Sequence, residues 1–396
     1  MGDDGADLPV GHAVRVDHEP QEQAAETVRQ LRALATPGGA AALSRAATLL
    51  AGGADAVSAL SRLRAEVGTD LAGPAWGIAR QRQKARPTFG ADADRLLFTG
   101  DTLEQAGRPV LADRRAARLL AEGAEAVADL GCAAGTDTLA LARAGARVVA
   151  VDRDPVAREL TRLNAAALGL SGVEVLDADV VDLVASAGHG AVAGCDAAVL
   201  DPARRAGGRR QLDPDRWSPP WSTVTGLLDR VPVGVVKVAP GLDHDRVPAG
   251  VEAEWVSVGG SIVEALLWGR GVSTTWRRAT LLRDGRFSEV TADGDPGPAP
   301  VGAVRGWLHE PDPALIRSGL MSLVAGDLGA TLIDPTIAYL SSDGPSTSTW
   351  VSSYRVTEVL PFNLKKLKAH LRTRGVGRVV VKKRGSPSSR RPSPGS

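Results

Sequence analysis

Asp129, Gly131, Gly135 and Asp152 are the residues of this 396-residue chain whose types and spacing point most directly to chemistry. The run Ala128-Asp129-Leu130-Gly131-Cys132-Ala133-Ala134-Gly135-Thr136-Asp137 carries an apolar stretch into a carboxylate and two glycines. Val148-Val149-Ala150-Val151-Asp152 then carries a second apolar stretch into another carboxylate. This pattern places a glycine turn at one strand end, where backbone can approach a ligand closely. The carboxylate at the next strand end can accept from two ribose hydroxyls. Two more strand ends follow in order, Val173 to Asp179 and Asp196 to Asp201-Pro202-Ala203-Arg204-Arg205. Proline removes a donor, so the strand-end carbonyl and the Asp201 side chain are left to accept. Each signal alone is also an ordinary strand exit; the order makes it a site.

The details lean away from a dinucleotide. A pyrophosphate loop reads G-x-G-x-x-G, whereas here the spacing is Gly131-x-x-x-Gly135 after Asp129, with no third glycine in register. That form suits a ligand without phosphates whose amino-acid end meets backbone and a carboxylate. S-adenosylmethionine fits, with Asp129 attracting its ammonium group. Asp152 would take the ribose and Asp179 the adenine amino group, while Asp177 reads as a solvated loop residue. Asp201 and the Pro202 carbonyl region could accept hydrogens from an acceptor nitrogen and aim its lone pair. In-line methyl transfer demands mainly alignment, which alone contributes on the order of 7–11 kcal/mol. Carbon-5 methylation of a pyrimidine would need a cysteine nucleophile in the pocket. Cys132 sits in the cofactor loop and Cys195 at the wrong end of its strand, so that chemistry is disfavoured.

With these motifs in hand, the chain resembles the class I S-adenosylmethionine-dependent methyltransferases that carry a THUMP-like domain at the C-terminus. The matching segments are Leu97-Phe98-Thr99 with Leu103-Glu104-Gln105-Ala106, the Asp129 to Gly135 loop, Asp201-Pro202-Ala203-Arg204, Val236 to Gly241, Glu310-Pro311-Asp312 and Val359 to Lys365. They span roughly residues 20 to 384. The resemblance implies a methyltransferase acting on RNA, tRNA or rRNA, and it implies reaction class more securely than substrate. It also implies a lead-in segment around Phe98-Thr99 lying over the cofactor pocket, with packing as the other reading. The Asp-Pro-Ala-Arg form lacks the aromatic that many amino-methylating enzymes place after Asp-Pro. A small-molecule or protein methyltransferase with a C-terminal lid, and a non-catalytic RNA-binding relative, therefore stay open.

The elements needed to position these residues can be read from periodicity. The expected fold is α/β, a Rossmann-like seven-stranded methyltransferase sheet with an N-terminal helical bundle and a C-terminal α+β THUMP-like module. A disordered leader over 1–20 precedes helical spacing over 21–95, marked by Val28, Leu31 and Leu34; Leu43, Ala46 and Leu50; Val57, Leu60 and Leu63. Its basic stretch Arg80, Arg82, Lys84, Arg86 could touch a phosphate backbone or form a solvated face. The methyltransferase domain spans 96–272 and the THUMP-like domain 273–384. The latter starts with a hairpin at Asp284-Gly285, followed by a helix 313–324, strand-like 354–360, a helix 363–372 and a strand 377–382. Between the fourth and fifth core strands, arginines alternate with Trp217 and Trp221. The tryptophans read as packing residues, whereas Arg204 and Arg205 divide evenly between substrate phosphates and solvent.

Composition narrows the partners. Hydrophobic content of 43% with 23% charged residues marks a globular chain rather than a disordered one. Two cysteines give no disulfide framework, the histidines show no ligand spacing, and no metal is expected. No apolar run approaches membrane-spanning length and the acidic N-terminus lacks a signal pattern, so no membrane partner and a cytoplasmic location are expected. Charge is segregated. Val359 to Ser396 holds 11 Lys+Arg and no acid, against 36 basic and 46 acidic residues elsewhere, a net −10. Such a patch on an otherwise acidic enzyme points to a polyanion, with Lys365, Lys366 and Lys368 as its core. After Lys382-Lys383-Arg384 the family's module normally continues. Here a Ser/Pro/Arg tract over 385–396 follows, too polar to bury a core, and a truncated module with a disordered basic tail is expected.

Overall fold

In the computed structural model, residues 18–203, 205–206, 209–211 and 213–382 are described. The predicted leader lies almost wholly outside these residues, as do Arg204 and the predicted tail. Two compact units divide the chain, Met1–Asp201 and Pro202–Ser396.

The first unit opens with four helices whose ends are set by local chemistry. α1 (His18–Leu34) stops before Thr36, whose hydroxyl caps α2 (Pro37–Ala51) by accepting from Gly39 N at 3.1 Å. Asp55 caps α3 (Ala56–Val67) by accepting from Val57 N and Ser58 N, and α4 (Thr69–Phe89) follows Gly68. Leu31, Leu34, Leu43, Ala46 and Leu63 fill the bundle core, matching the helical spacing. Val57 departs from it and stands exposed, because α3 presents Ala59 and Leu63 inward instead. α5 (Gly100–Gln105) and α6 (Pro109–Ala121) lead to a parallel sheet. Its strands are β1 (Ala126–Leu130), β2 (Arg147–Asp152), β3 (Val173–Asp177) and β4 (Ala197–Leu200), and within the unit they lie in the order β4-β1-β2-β3. α7 (Thr136–Arg143), α8 (Pro155–Leu168) and α9 (Val180–Ser186) are the crossovers. Ala128 pairs with Val149 on one side and Ala198 on the other, so β1 is central and buried on both faces. Arg32 of α1 makes a two-pronged bond to buried Glu159 of α8, at 2.9 and 3.0 Å, tying the bundle to the sheet's helical layer.

The second unit begins with a short pair, β5 (Arg205–Ala206) and β6 (Arg209–Arg210), and α10 (Trp221–Arg230). Trp217 and Trp221 are buried in an edge-to-face contact 6.0 Å apart, which is the packing role read for them. β7 (Gly234–Val238), β8 (Glu252–Val258) and β9 (Ser261–Trp268) form an antiparallel group with β9 between the other two. With β1–β4, the seven strands expected of the α/β core are all present in chain order. The hairpin predicted at Asp284-Gly285 forms from β10 (Arg277–Arg283) and β11 (Arg286–Ala292), with positive φ at both turn residues. β10 pairs in parallel with β8, so the hairpin extends the β7–β9 sheet, and the division drawn at 272/273 falls between neighbouring strands.

A smaller antiparallel sheet holds β12 (Trp307–Pro311), β13 (Thr331–Asp334), β14 (Ile337–Ser342) and β15 (Val351–Arg355), in the order β13-β14-β12-β15. The helix read over 313–324 is two, α11 (Pro313–Ser318) and α12 (Met321–Asp327), divided at Gly319. α13 (Leu364–Thr373) sits where expected, capped by Asn363 Oδ1 accepting from Lys366 N at 3.0 Å. Residues 377–382 form no strand.

Candidate cofactor and substrate site

The glycine loop is shaped by what surrounds it in the first unit. At the exit of β1, the amides of Gly131 and Cys132 both donate to Val151 O, at 2.8 and 3.1 Å, hanging the turn from the end of β2. Gly131 has φ +86°, and a Cβ there would stand 3.0 Å from Asp201 O, whose own amide donates to Leu130 O at 3.1 Å. The turn and the β4 exit are therefore in van der Waals contact, which only glycine permits. Gly135 has φ +88° and caps α7, and a Cβ there would meet Thr161 at 3.2 Å.

Carboxylates line this edge. Asp129 is buried and accepts from Thr138 Oγ1, fastening the first turn of α7 to β1. Asp152 accepts from Ala133 N at 3.1 Å and Asp154 N at 2.9 Å. Burial raises its carboxyl above the ordinary 3.8, opposed by those two amides. Each oxygen keeps a second lone pair for a hydroxyl. Asp179 is exposed, and its Oδ1 caps α9 by accepting from Val181 N at 2.7 Å. Asp177 is engaged by Arg158 at 2.8 Å and sits opposite Asp152 in the β2–β3 register.

Asp129, Gly131, Gly135, Asp152 and Asp201 thus converge at the carboxyl ends of adjacent parallel strands, with Asp179 two residues past the end of β3. Pro202 opens the second unit and is buried. For Arg205 only the backbone is described, paired with Arg210. Lys365, Lys366 and Lys368 are exposed on α13, while Leu367, His370 and Leu371 are half-buried. Glu358 is already taken by His370 and Arg374, so it does not neutralise those lysines.

The sequence reading missed the layer beneath the loop. Asn164 of α8 is fully buried; its Oδ1 accepts from Leu97 N at 2.7 Å, and its Nδ2 donates to Leu97 O and Ala134 O, both at 3.1 Å. Thr161 Oγ1 donates to Ala133 O at 3.1 Å. One face of α8 therefore holds both the lead-in segment and the glycine loop. A polar pair within the stripe Ala157, Leu160, Thr161, Asn164, Ala165 was the available signal. A second buried tie joins Arg115 of α6 to Asp137 of α7 at 2.8 Å. Phe98 is buried against Phe89 with ring centres 4.9 Å apart, and Thr99 caps α5, so these lead-in residues serve packing and helix initiation. Burial pushes both thiols up, Cys132 strongly, with Asp129 adding to the effect there. Among the described residues, no cluster of three or more His, Cys, Asp or Glu could hold a metal ion.

The Methyltransferase domain family matches residues 127–206, and the THUMP domain-like family matches residues 351–390. Two relatives, from Mycobacterium tuberculosis strains CDC 1551 / Oshkosh and ATCC 25618 / H37Rv, are each described as an uncharacterized S-adenosylmethionine-dependent methyltransferase. Each is 34% identical over 297 residues, 73% of this chain and 77% of the relative. A solved structure from Porphyromonas gingivalis W83 that bears the methyltransferase name shares the fold at a TM-score of 0.59 and 17% identity. The match covers 89% of this chain and 86% of that one. Among the described residues, no helix is long and apolar enough to cross a membrane.

Proposed function

The chain belongs to the S-adenosylmethionine-dependent methyltransferases, and from that premise we propose that it methylates a base nitrogen in structured RNA, tRNA or rRNA. The bound cofactor supplies an electrophilic methyl group on sulfonium; the chain's own residues hold, orient and accept. Asp129 attracts the amino end of the cofactor, and Gly131 and Gly135 let the backbone come close. Asp152 accepts from the ribose hydroxyls, and Asp179 Oδ2 from the adenine amino group. Asp201 and the Pro202 carbonyl accept the hydrogens of the target nitrogen and direct its lone pair toward the methyl group. A carboxylate serves there because an attacking amino group sheds a proton as its bond to carbon forms.

The observation that carries the RNA reading is the exposed basic run on α13 and beyond, in which Lys365, Lys366, Lys368, Arg372, Arg374, Arg378 and Lys382 all lie within 18 residues. These contacts would position RNA through its phosphates without reading sequence, so base choice falls to the pocket. Mass spectrometry of nucleosides in total RNA from a deletion strain and its parent tests the proposal. Loss of one methylated nucleoside is expected. Identical profiles, with methyl transfer to a metabolite fraction, would replace RNA by a small-molecule acceptor.

A further inference from the structure

The basic stretch on α4 is divided by the helix. Arg82 and Arg86, one turn apart, face a cleft of about 760 Å³ between α2, α4 and α8, within the first unit, and Arg95 joins them from the segment after α4. That volume falls in the ~300–1,000 Å³ range of small-molecule sites. Its walls are apolar, with Leu34, Leu43, Leu50, Leu97 and Leu163 standing among alanines. α2 contributes Ala40, Ala47 and Ala51, and α8 contributes Ala166 and Ala167, so the facing helices leave a slot with apolar sides.

The polar groups collect on one rim and are held in place. Arg82 donates Nε to Leu96 O at 2.8 Å and Nη2 to Arg95 O at 3.1 Å. Arg95 donates to Ala167 O, and Arg86 donates Nε and Nη2 to Asp94 Oδ1 at 3.1 and 2.9 Å. Three guanidinium groups against one carboxylate leave the rim at +2. Each guanidinium carries five N–H donors, so these bonds fix orientation while leaving donors for a ligand. Ser44 and Gln83 add a hydroxyl and an amide, which with Asp94 offer both donors and acceptors.

We propose that this cleft binds a nucleoside phosphate, with the base between the apolar walls and the phosphate on Arg82, Arg86 and Arg95. A base has apolar faces and an edge of donors and acceptors, which an acyl chain lacks, and a phosphate matches the charge of the rim. A free nucleotide and a nucleotide within an RNA strand would use the same contacts. Its lining includes none of residues 129–135, Asp152, Asp179 or Asp201, so it is distinct from the proposed cofactor position. It stands independently of the RNA-methylation reading.

Calorimetry on the full chain, with S-adenosylhomocysteine saturating the cofactor site, tests it using AMP, adenosine, inorganic phosphate and a pentanucleotide. AMP is expected to bind with a Kd below about 1 mM, and adenosine and phosphate at least about tenfold more weakly. Arg86→Met, which removes an exposed side chain, and Ala47→Trp, which fills the slot from α2, should each weaken AMP at least about tenfold. Both should leave S-adenosylhomocysteine affinity unchanged, so a failure here is separable from failure of the methyltransferase reading. A pentanucleotide binding well above AMP, with the same sensitivity to both variants, identifies an RNA strand as the source; equal affinities identify a free nucleotide. No AMP binding, binding indifferent to both variants, or phosphate binding as tightly as AMP would overturn the proposal.

Discussion

The glycine loop and the α13 segment are built on opposite physical plans. Residues 129–135 are held from beneath by Thr161 and Asn164, from one side by Val151 O and from the other by the β4 exit. Their geometry is over-determined by buried hydrogen bonds. α13 buries no residue and presents lysines to water beside exposed Val359, Leu360 and Phe362. The first arrangement can fix a small ligand within fractions of an ångström. The second can attract a polyanion but specifies little. Substitutions in the loop layer should therefore act through structure and resist salt, and those on α13 should act through charge and be salt-dependent.

The largest effect is expected at Asn164. Replacing it with Leu leaves Leu97 N, Leu97 O and Ala134 O without partners in the interior, a cost of about 3 kcal/mol. Thermal unfolding should fall accordingly, with cofactor affinity lost alongside; an unchanged melting temperature would dissolve the contrast. Gly131→Val comes next. The left-handed conformation costs a side chain about 1–2 kcal/mol, and its Cβ must also displace the β4 exit. Calorimetry with S-adenosylhomocysteine should show a loss of about 30-fold or more, little altered by salt.

The α/β core was legible because its signals are local and repeated. Strand ends declare themselves by apolar runs that stop at carboxylates, and the turn glycines occupy positions no other residue can. Asn164 was hidden because its three partners lie 30 and 67 residues away, and only the packed fold brings them together. The hairpin at Asp284-Gly285 was readable from its turn. Its partner strand β8 was not, since edge pairing depends on which sheet border is open. Val57 misled because an apolar residue in a first helical turn fits the period without facing the core. The same limit separated Arg82 and Arg86 from Arg80 and Lys84, four residues that look alike in sequence and point to different sides.

Neutralising Lys365, Lys366 and Lys368 to Gln probes the other half of the comparison. Filter binding to tRNA should weaken about tenfold at low salt, and the slope of log affinity against log salt should flatten by about 2. The folded stability should not change. RNA affinity indifferent to both salt and these lysines would move a small-molecule acceptor ahead.

The smallest effect belongs to His309, buried between Ser353 and Ser342 with ring contacts of 2.9 and 2.7 Å. Burial lowers its pKa below 6.5, with Arg305 adding to the effect. The folded form thus prefers the neutral ring. Its contribution is complete above about 6.5 and is lost as pH falls from there toward the folded value, where the unfolded chain takes up more protons. Unfolding midpoints measured across that window should drop for the wild type and less for His309→Gln.

The central claim is that one sheet edge divides its carboxylates between cofactor and acceptor. Paired measurements on Asp152→Ala and Asp201→Ala test it: S-adenosylhomocysteine affinity by calorimetry, and transfer of a labelled methyl group to total RNA from a deletion strain. Asp152→Ala should lose about 1–3 kcal/mol of cofactor binding, from lost charge-assisted hydrogen bonds. Asp201→Ala should keep cofactor affinity within a few-fold and lose transfer altogether. Equal loss of cofactor affinity in both variants, or full transfer by Asp201→Ala, would contradict the account.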